Sequence, residues 1–143
     1  MCDDKVSYDA DRIPSRDETR TLYDSVGWAA YTVDLDALIR GLENSAVVVT
    51  ARSGGKLIGL ARIVSDHATI AYLQDVLVHP SFRRRGIATA LVNRAFAPFS
   101  RVRQHVLLTD AEPGQRAFYE SIGFTEIRDL PGQGCRSFVR FIP

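Results

Sequence analysis

Val76-Leu77-Val78-His79-Pro80-Ser81-Phe82-Arg83-Arg84-Arg85-Gly86-Ile87-Ala88-Thr89-Ala90-Leu91 is the stretch on which the reading of this chain turns. The apolar run 70–78 predicts a buried strand, and His79-Pro80 stops it. Ile87, Leu91 and Ala95, with Ala88, Val92 and Phe96 beside them, predict a helix over 86–97 that Pro98 ends. Backbone N–H groups in a helix's first turn have no intrahelical partner and lie at the positive end of the dipole. Gly86 has no Cβ and leaves that backbone approachable, Ala88 nearly so, and three arginines add positive charge. Read alone, an arginine run is ordinarily a solvated loop. Placed between a strand and a helix start, it predicts a cradle for a pyrophosphate. The segment is neither Gly-x-x-x-x-Gly-Lys-Ser/Thr nor Gly-x-Gly-x-x-Gly.

Outward from this stretch the chain reads as a mixed sheet covered by helices. Ser15 and Glu18 form a capping box after Pro14, predicting a short helix to about residue 26. Asp34 opens a second helix, with Leu35, Leu38, Ile39 and Leu42 on one face. Residues 46–51 and 57–64 flank Ser53-Gly54-Gly55-Lys56 and read as a hairpin. Residues 106–108 are a short strand, 114–122 a helix stopped by Gly123, and 124–127 and 136–141 two final strands. A further short strand is expected near 6–8. A hairpin feeding a strand–helix–strand unit predicts an α/β (α+β) fold.

Length and composition bound the class. The chain has 143 residues, 45% apolar and 24% charged, which suits one globular domain over 1–143 and excludes disorder, a collagen repeat or a coiled coil. No apolar stretch is long enough to span a membrane, and the first residues carry no apolar leader. Two cysteines, Cys2 and Cys135, suggest a reduced, cytoplasmic protein and offer no metal-ligand spacing. Residues 1–60 hold 7 Lys/Arg against 10 Asp/Glu, and residues 61–143 hold 11 against 7. The net charge of +1 and the absence of a groove-reading or stacking motif argue against a nucleic-acid partner.

Arg83-x-x-Gly86-x-Ala88 after an apolar strand resembles the Arg/Gln-x-x-Gly-x-Gly/Ala signature of the GNAT superfamily of acetyl-CoA-dependent N-acyltransferases. Phe118-Tyr119-Glu120-Ser121-Ile122-Gly123-Phe124 resembles that family's second motif, a tyrosine-bearing helix ending in Gly-Phe. The resemblance covers nearly the whole chain. It implies a mostly antiparallel, about seven-stranded sheet flanked by four helices, with the strands ending at Val78 and starting at Val106 splayed apart. It implies acetyl transfer from acetyl-CoA to a primary amine of a small molecule or protein, by direct attack in a ternary complex. No metal and no membrane partner are implied, and a homodimer is expected because many relatives pair through the final strands. Val76, Leu77 and Val78 would line the pantetheine arm, with Val76 and Val78 bonding it through their backbone like an added strand. Arg83, Arg84, Arg85, Gly86, Ile87, Ala88 and Thr89 would hold the phosphates, and Phe118 would lie against the cofactor beside Tyr119. One departure stands out: Glu112-Pro113-Gly114-Gln115 occupies the place of the family's Asn-x-x-Ala.

The chemistry makes its own demands. An alkylamine with a pKa near 10.4 costs about 4–5 kcal/mol to expose as the neutral nucleophile at pH 7. The thiolate leaving group needs a proton, for which Tyr119 is the candidate donor. Asp75, the one acid on its strand, is the candidate base, with water relayed to Gln74, Asp110 or a carbonyl as the alternative. Strict alternation puts Tyr72, Gln74 and Val76 on one strand face and Leu73, Asp75 and Leu77 on the other, unless a bulge intervenes. Trp28, Tyr31, Tyr72 and Gln74 are the candidate acceptor-binding residues. Trp28 and Tyr31 are equally readable as core packing. A non-catalytic acyl-CoA sensor is the competing reading, one that needs no leaving-group acid at Tyr119.

Overall fold

A computed structural model describes residues 5–143, which fall into two compact units, one ending at Leu108 and one running from Thr109 to Pro143. The first unit is built on five strands, β1 (Val6–Asp9), β2 (Val47–Ser53), β3 (Lys56–Ser65), β4 (Ile70–Val78) and β5 (Gln104–Leu107), adjacent in chain order. β1 to β4 pair antiparallel, and β5 joins β4 in parallel. The turn between β2 and β3 falls on Gly54 and Gly55, both at positive φ, as a tight hairpin requires.

Helices α1 (Arg16–Ser25), α2 (Ala29–Thr32) and α3 (Leu35–Glu43) precede β2, and α4 (Ile87–Phe96) links β4 to β5. The expected capping box is present: Ser15 Oγ accepts from the Glu18 amide at 3.2 Å, and a Glu18 oxygen accepts from the Ser15 amide at 3.0 Å. Asp34 caps α3 by accepting from the Ala37 amide. Sequence periodicity misses α2, which is only four residues long and has no side-chain cap.

Leu22 and Tyr23 of α1 and Leu35, Leu38 and Leu42 of α3 bury against Val48, Leu57, Leu60 and Leu77 of the sheet. The neighbouring position on β3, Gly59, faces the other side, where a Cβ would come within 2.9 Å of Leu91 on α4. Helices therefore cover both faces of this sheet, α1 and α3 on one and α4 on the other.

Two features of the sheet differ from strict alternation and matter for function. The β3–β4 register slips: Asp75 pairs with Arg62, but Leu73 pairs with Ile63, leaving Gln74 as an extra residue. Arg62 and Ile63 are successive, so they face opposite sides, and their partners Asp75 and Leu73 do too. The bulge allowed for in the sequence is therefore present, and Leu73 and Asp75 do not share the face that strict alternation would give them. Second, β5 stays with β4 only from Ile70–Gln104 to Leu73–Leu107. Gln74 to Val78 continue without β5, as the expected splay requires, although β5 starts at Gln104 rather than Val106.

The second unit holds α5 (Pro113–Ser121) and a single turn of 3-10 helix at Ile127–Asp129. Arg116 ties this unit together through Glu120 and Glu126 at 2.6 Å and Asp129 at 2.5 Å. The final strands expected at 124–127 and 136–141 are absent among the described residues, so the count is five strands and five α-helices rather than about seven and four. Gly123 turns the chain at φ 100°, and Arg116 pairs with Glu126 and Asp129 at the two ends of the 3-10 turn that follows. Residues 136–141 have strand composition, but Phe138 and Phe141 are 90% and 87% exposed. β-propensity forms no strand where no edge pairs with it.

Candidate active site

The open half of β4 has a defined polarity. His79 donates its amide to Ile58 O at 2.7 Å, so the pairs two residues apart, Leu77–Leu60 and Asp75–Arg62, also turn their backbone groups toward β3. Val76 and Val78 lie between them and direct their N–H and C=O groups away from β3, on the side β5 has left. Leu77 points its backbone groups to β3 and its side chain into the core, at 4% exposure. Val76 and Val78, the two residues expected to offer backbone groups, are thus the two whose N–H and C=O β3 does not use.

The strand runs directly into the arginine loop. His79 Nδ1 accepts from the Ser81 amide and starts a turn of 3-10 helix over Pro80–Phe82, which makes His79 a turn-former. Arg84 sits at φ 63° and Gly86 at φ 76°. Left-handed residues of this kind, just ahead of a helix start, are a backbone pattern from which anion-binding nests are built. A Cβ on Gly86 would meet nothing within 4 Å, so glycine is favoured there by backbone conformation and not by crowding. Arg83, Arg84 and Arg85 are all exposed, and the Arg85 guanidinium stacks over the Phe82 ring at 5.2 Å. The Ile87 side chain is buried, so only its amide is available, while Ala88 and Thr89 are half-buried in the first turn.

Asp75 is 3% exposed and bonded at both oxygens. Oδ2 accepts from Arg62 Nε at 2.5 Å and from the Tyr23 hydroxyl at 3.0 Å, and Oδ1 accepts from the Tyr31 hydroxyl at 2.6 Å. Arg62 is itself buried, its guanidinium close to Gly41, where a Cβ would come within 3.0 Å of Nη1. That contact explains a glycine inside α3. Burial first, then the Asp75 carboxylate, raises the Tyr23 hydroxyl far above the ordinary phenol range. Sequence reasoning did not single out Arg62 or Tyr23. The available signal was a lone arginine inside the apolar run 57–64.

The bulge brings Gln74 to the same place. Its Nε2 donates to the Tyr31 hydroxyl at 3.0 Å, so residues 74 and 75 reach one phenol. Trp28 and Tyr31 are half-buried over the core cluster, with ring centroids 6.1 Å apart, and Tyr23 completes the aromatic group. Tyr72 is half-buried on β4, opposite Val64 on one side and Val106 on the other, and its hydroxyl is raised by burial and then by Asp75. Of the expected acceptor residues, the structure joins Trp28, Tyr31 and Gln74 into one cluster.

In the second unit Tyr119 is 8% exposed on α5, edge-on to Phe118 at 4.9 Å and to Phe124 at 6.0 Å. Burial, and then the Asp110 carboxylate, push its hydroxyl up to about 12, so it holds its proton at neutral pH. Phe118 is half-buried. Glu112 and Gln115, in place of the family's Asn and Ala, are exposed and half-buried at the start of the helix.

The family model of the acetyltransferase (GNAT) domain matches residues 43–126, which contain the splayed strand, the arginine loop and the tyrosine helix. The chain belongs to the GNAT acetyltransferase family. A GNAT-family acetyltransferase of Streptococcus pneumoniae superposes with a TM-score of 0.80 at 28% identity, covering 96% of this chain and 100% of that one. An uncharacterized N-acetyltransferase, ycf52, of Pyropia yezoensis is 29% identical over 80% of this chain and 66% of its own length. Histone acetyltransferase TAP1 of Glycine max is 31% identical over 75% of this chain and 50% of its own length. The GNAT chain thus spans half to two thirds of those two relatives.

Proposed function

We propose that this GNAT protein moves the acetyl group of acetyl-CoA to a primary amine, by direct attack within a ternary complex. The observation that carries the reading is the continuity of two binding devices in one segment. Outward-facing backbone groups of Val76 and Val78 lead directly into the left-handed loop and free amides that open α4. The first suits an extended amide chain and the second a pyrophosphate, and acyl-CoA carries both in that order.

In this reading Val76 and Val78 hold the pantetheine amides. The amides from Arg84 to Thr89 hold the pyrophosphate, and Arg83, Arg84 and Arg85 meet the remaining phosphate charge. A neutral amine attacks the thioester carbonyl, the C–S bond breaks, and the sulfur takes a proton from the Tyr119 hydroxyl. Asp75 is a positioning group here, since its two oxygens already accept from three donors. The acceptor's ammonium sheds one proton to solvent water before attack and the nitrogen sheds a second after it, and water returns a proton to the Tyr119 phenolate. One domain over 1–143, a cytoplasmic setting and a homodimer complete the proposal; the last rests on resemblance alone, since the final strands through which relatives pair are absent among the described residues.

Acetyl-CoA binding tests the cradle. Gly86→Asp places a carboxylate at the helix start, and Asp is among the few residues that tolerate a left-handed backbone. Calorimetry should show acetyl-CoA affinity falling by on the order of a hundredfold through like-charge repulsion. Gly86→Asn, the same shape without charge, should retain most of it. Equal affinity in Gly86→Asp and the unaltered protein would remove the pyrophosphate from this loop.

A further inference from the structure

The Tyr31 hydroxyl has its proton committed and its oxygen partly free. A carboxylate donates nothing, so the 2.6 Å contact with Asp75 Oδ1 fixes the phenolic proton inward. Asp75 has little freedom to release it, because Oδ2 is held by Arg62 and Tyr23. Gln74 Nε2 supplies one donor to the Tyr31 oxygen. A hydroxyl oxygen accepts two, which leaves one position for a donor arriving from the side where Gln74 is exposed. The half-buried Trp28 ring lies alongside. Burial, and then the bond to Asp75, raise the Tyr31 hydroxyl above its ordinary range, so it stays a neutral phenol at pH 7.

We propose that Tyr31 Oη recognises the acceptor in its ammonium form, accepting one N–H⁺ bond, with Asp75 and Arg62 as positioning residues that orient the hydroxyl and Trp28 as the apolar wall. The proposal rests on the acetyl-transfer reading and names how that site selects its substrate. It assigns the aromatic cluster a polar specificity that packing alone does not require. A primary ammonium satisfies the oxygen, whereas a quaternary ammonium of the same chain carries equal charge and no N–H. Cation–π attraction to Trp28 or Tyr31 would not distinguish the two in this way.

Trp28 is the only tryptophan, so intrinsic fluorescence reports ligands arriving beside Tyr31. The unaltered protein and Tyr31→Phe are each saturated with coenzyme A and titrated at pH 7 with hexylamine and with hexyltrimethylammonium. The unaltered protein should bind hexylammonium about tenfold more tightly than the quaternary ion, the scale of a hydrogen bond to a charged group. Tyr31→Phe should lose that tenfold for hexylammonium and leave the quaternary ion nearly unchanged. Asp75→Asn, whose amide can donate to Tyr31 and turn its proton outward, should give the same selective loss if it folds; Tyr31→Phe keeps the ring and decides the matter by itself. Equal hexylammonium affinity in the two proteins overturns the proposal. So does a coenzyme A complex of the unaltered protein that fails to respond to hexylamine. Absence of coenzyme A binding, measured separately by calorimetry, would instead overturn the acetyl-transfer reading.

Discussion

Tyr119→Phe should lower turnover by about 10²–10⁴, the range for removing a general acid, with little change in acetyl-CoA affinity. The ring and its edge contacts with Phe118 and Phe124 remain, so α5 keeps its packing. What disappears is a proton that burial holds on the phenol at neutral pH. The loop and helix start from Arg83 to Thr89 are untouched by the change. A fall in turnover with retained binding marks an interaction made mainly in the transition state. Steady-state kinetics on a good acceptor, paired with calorimetry of acetyl-CoA, checks both halves. Turnover at the original rate in Tyr119→Phe would make the tyrosine structural and leave water to protonate the thiolate.

The second large effect is on stability. Asp75→Ala removes the carboxylate from a guanidinium whose side chain is only 8% exposed. It also leaves the Tyr23 and Tyr31 hydroxyls without an acceptor. Breaking a buried ion pair from one side costs about 3–5 kcal/mol, because the remaining charge keeps its desolvation penalty without compensation. That is a large fraction of the stability of an ordinary domain, roughly 5–15 kcal/mol. Urea unfolding should show the midpoint falling steeply. Arg62→Met combined with Asp75→Leu should recover much of the loss, since neither charge is then buried alone. A midpoint unchanged in Asp75→Ala would show that Arg62 reaches solvent, contrary to its burial here.

Local chemistry made parts of this fold legible. The Ser15–Glu18 capping box, the Asp34 cap, the Gly54-Gly55 turn and the strand–loop–helix around Gly86 are specified within a few residues each, and all appear where the chain predicts them. Features set by distant partners were not legible. The extra residue at Gln74 depends on how β4 registers against β3, which no window of β4 alone encodes. That slip is what joins Gln74, Asp75 and Tyr31 into one cluster. Arg62 lies thirteen positions from Asp75 and Tyr23 lies fifty-two from it, so their bonds emerge only when the sheet forms. Residues 136–141 show the reverse error, strong strand composition with no edge paired to it.

Acetyl transfer to an amine is tested most directly by coenzyme A thiol release from acetyl-CoA in the presence of a panel of primary alkylamines, diamines and lysine-containing peptides. Mass spectrometry of the acceptors accompanies it. The account predicts amine-dependent thiol release with a matching gain of one acetyl group on at least one acceptor, and loss of both in Tyr119→Phe. Acetyl-CoA bound by the protein, with no amine-dependent release across the panel, would contradict it and leave a binding module that holds acyl-CoA without turnover.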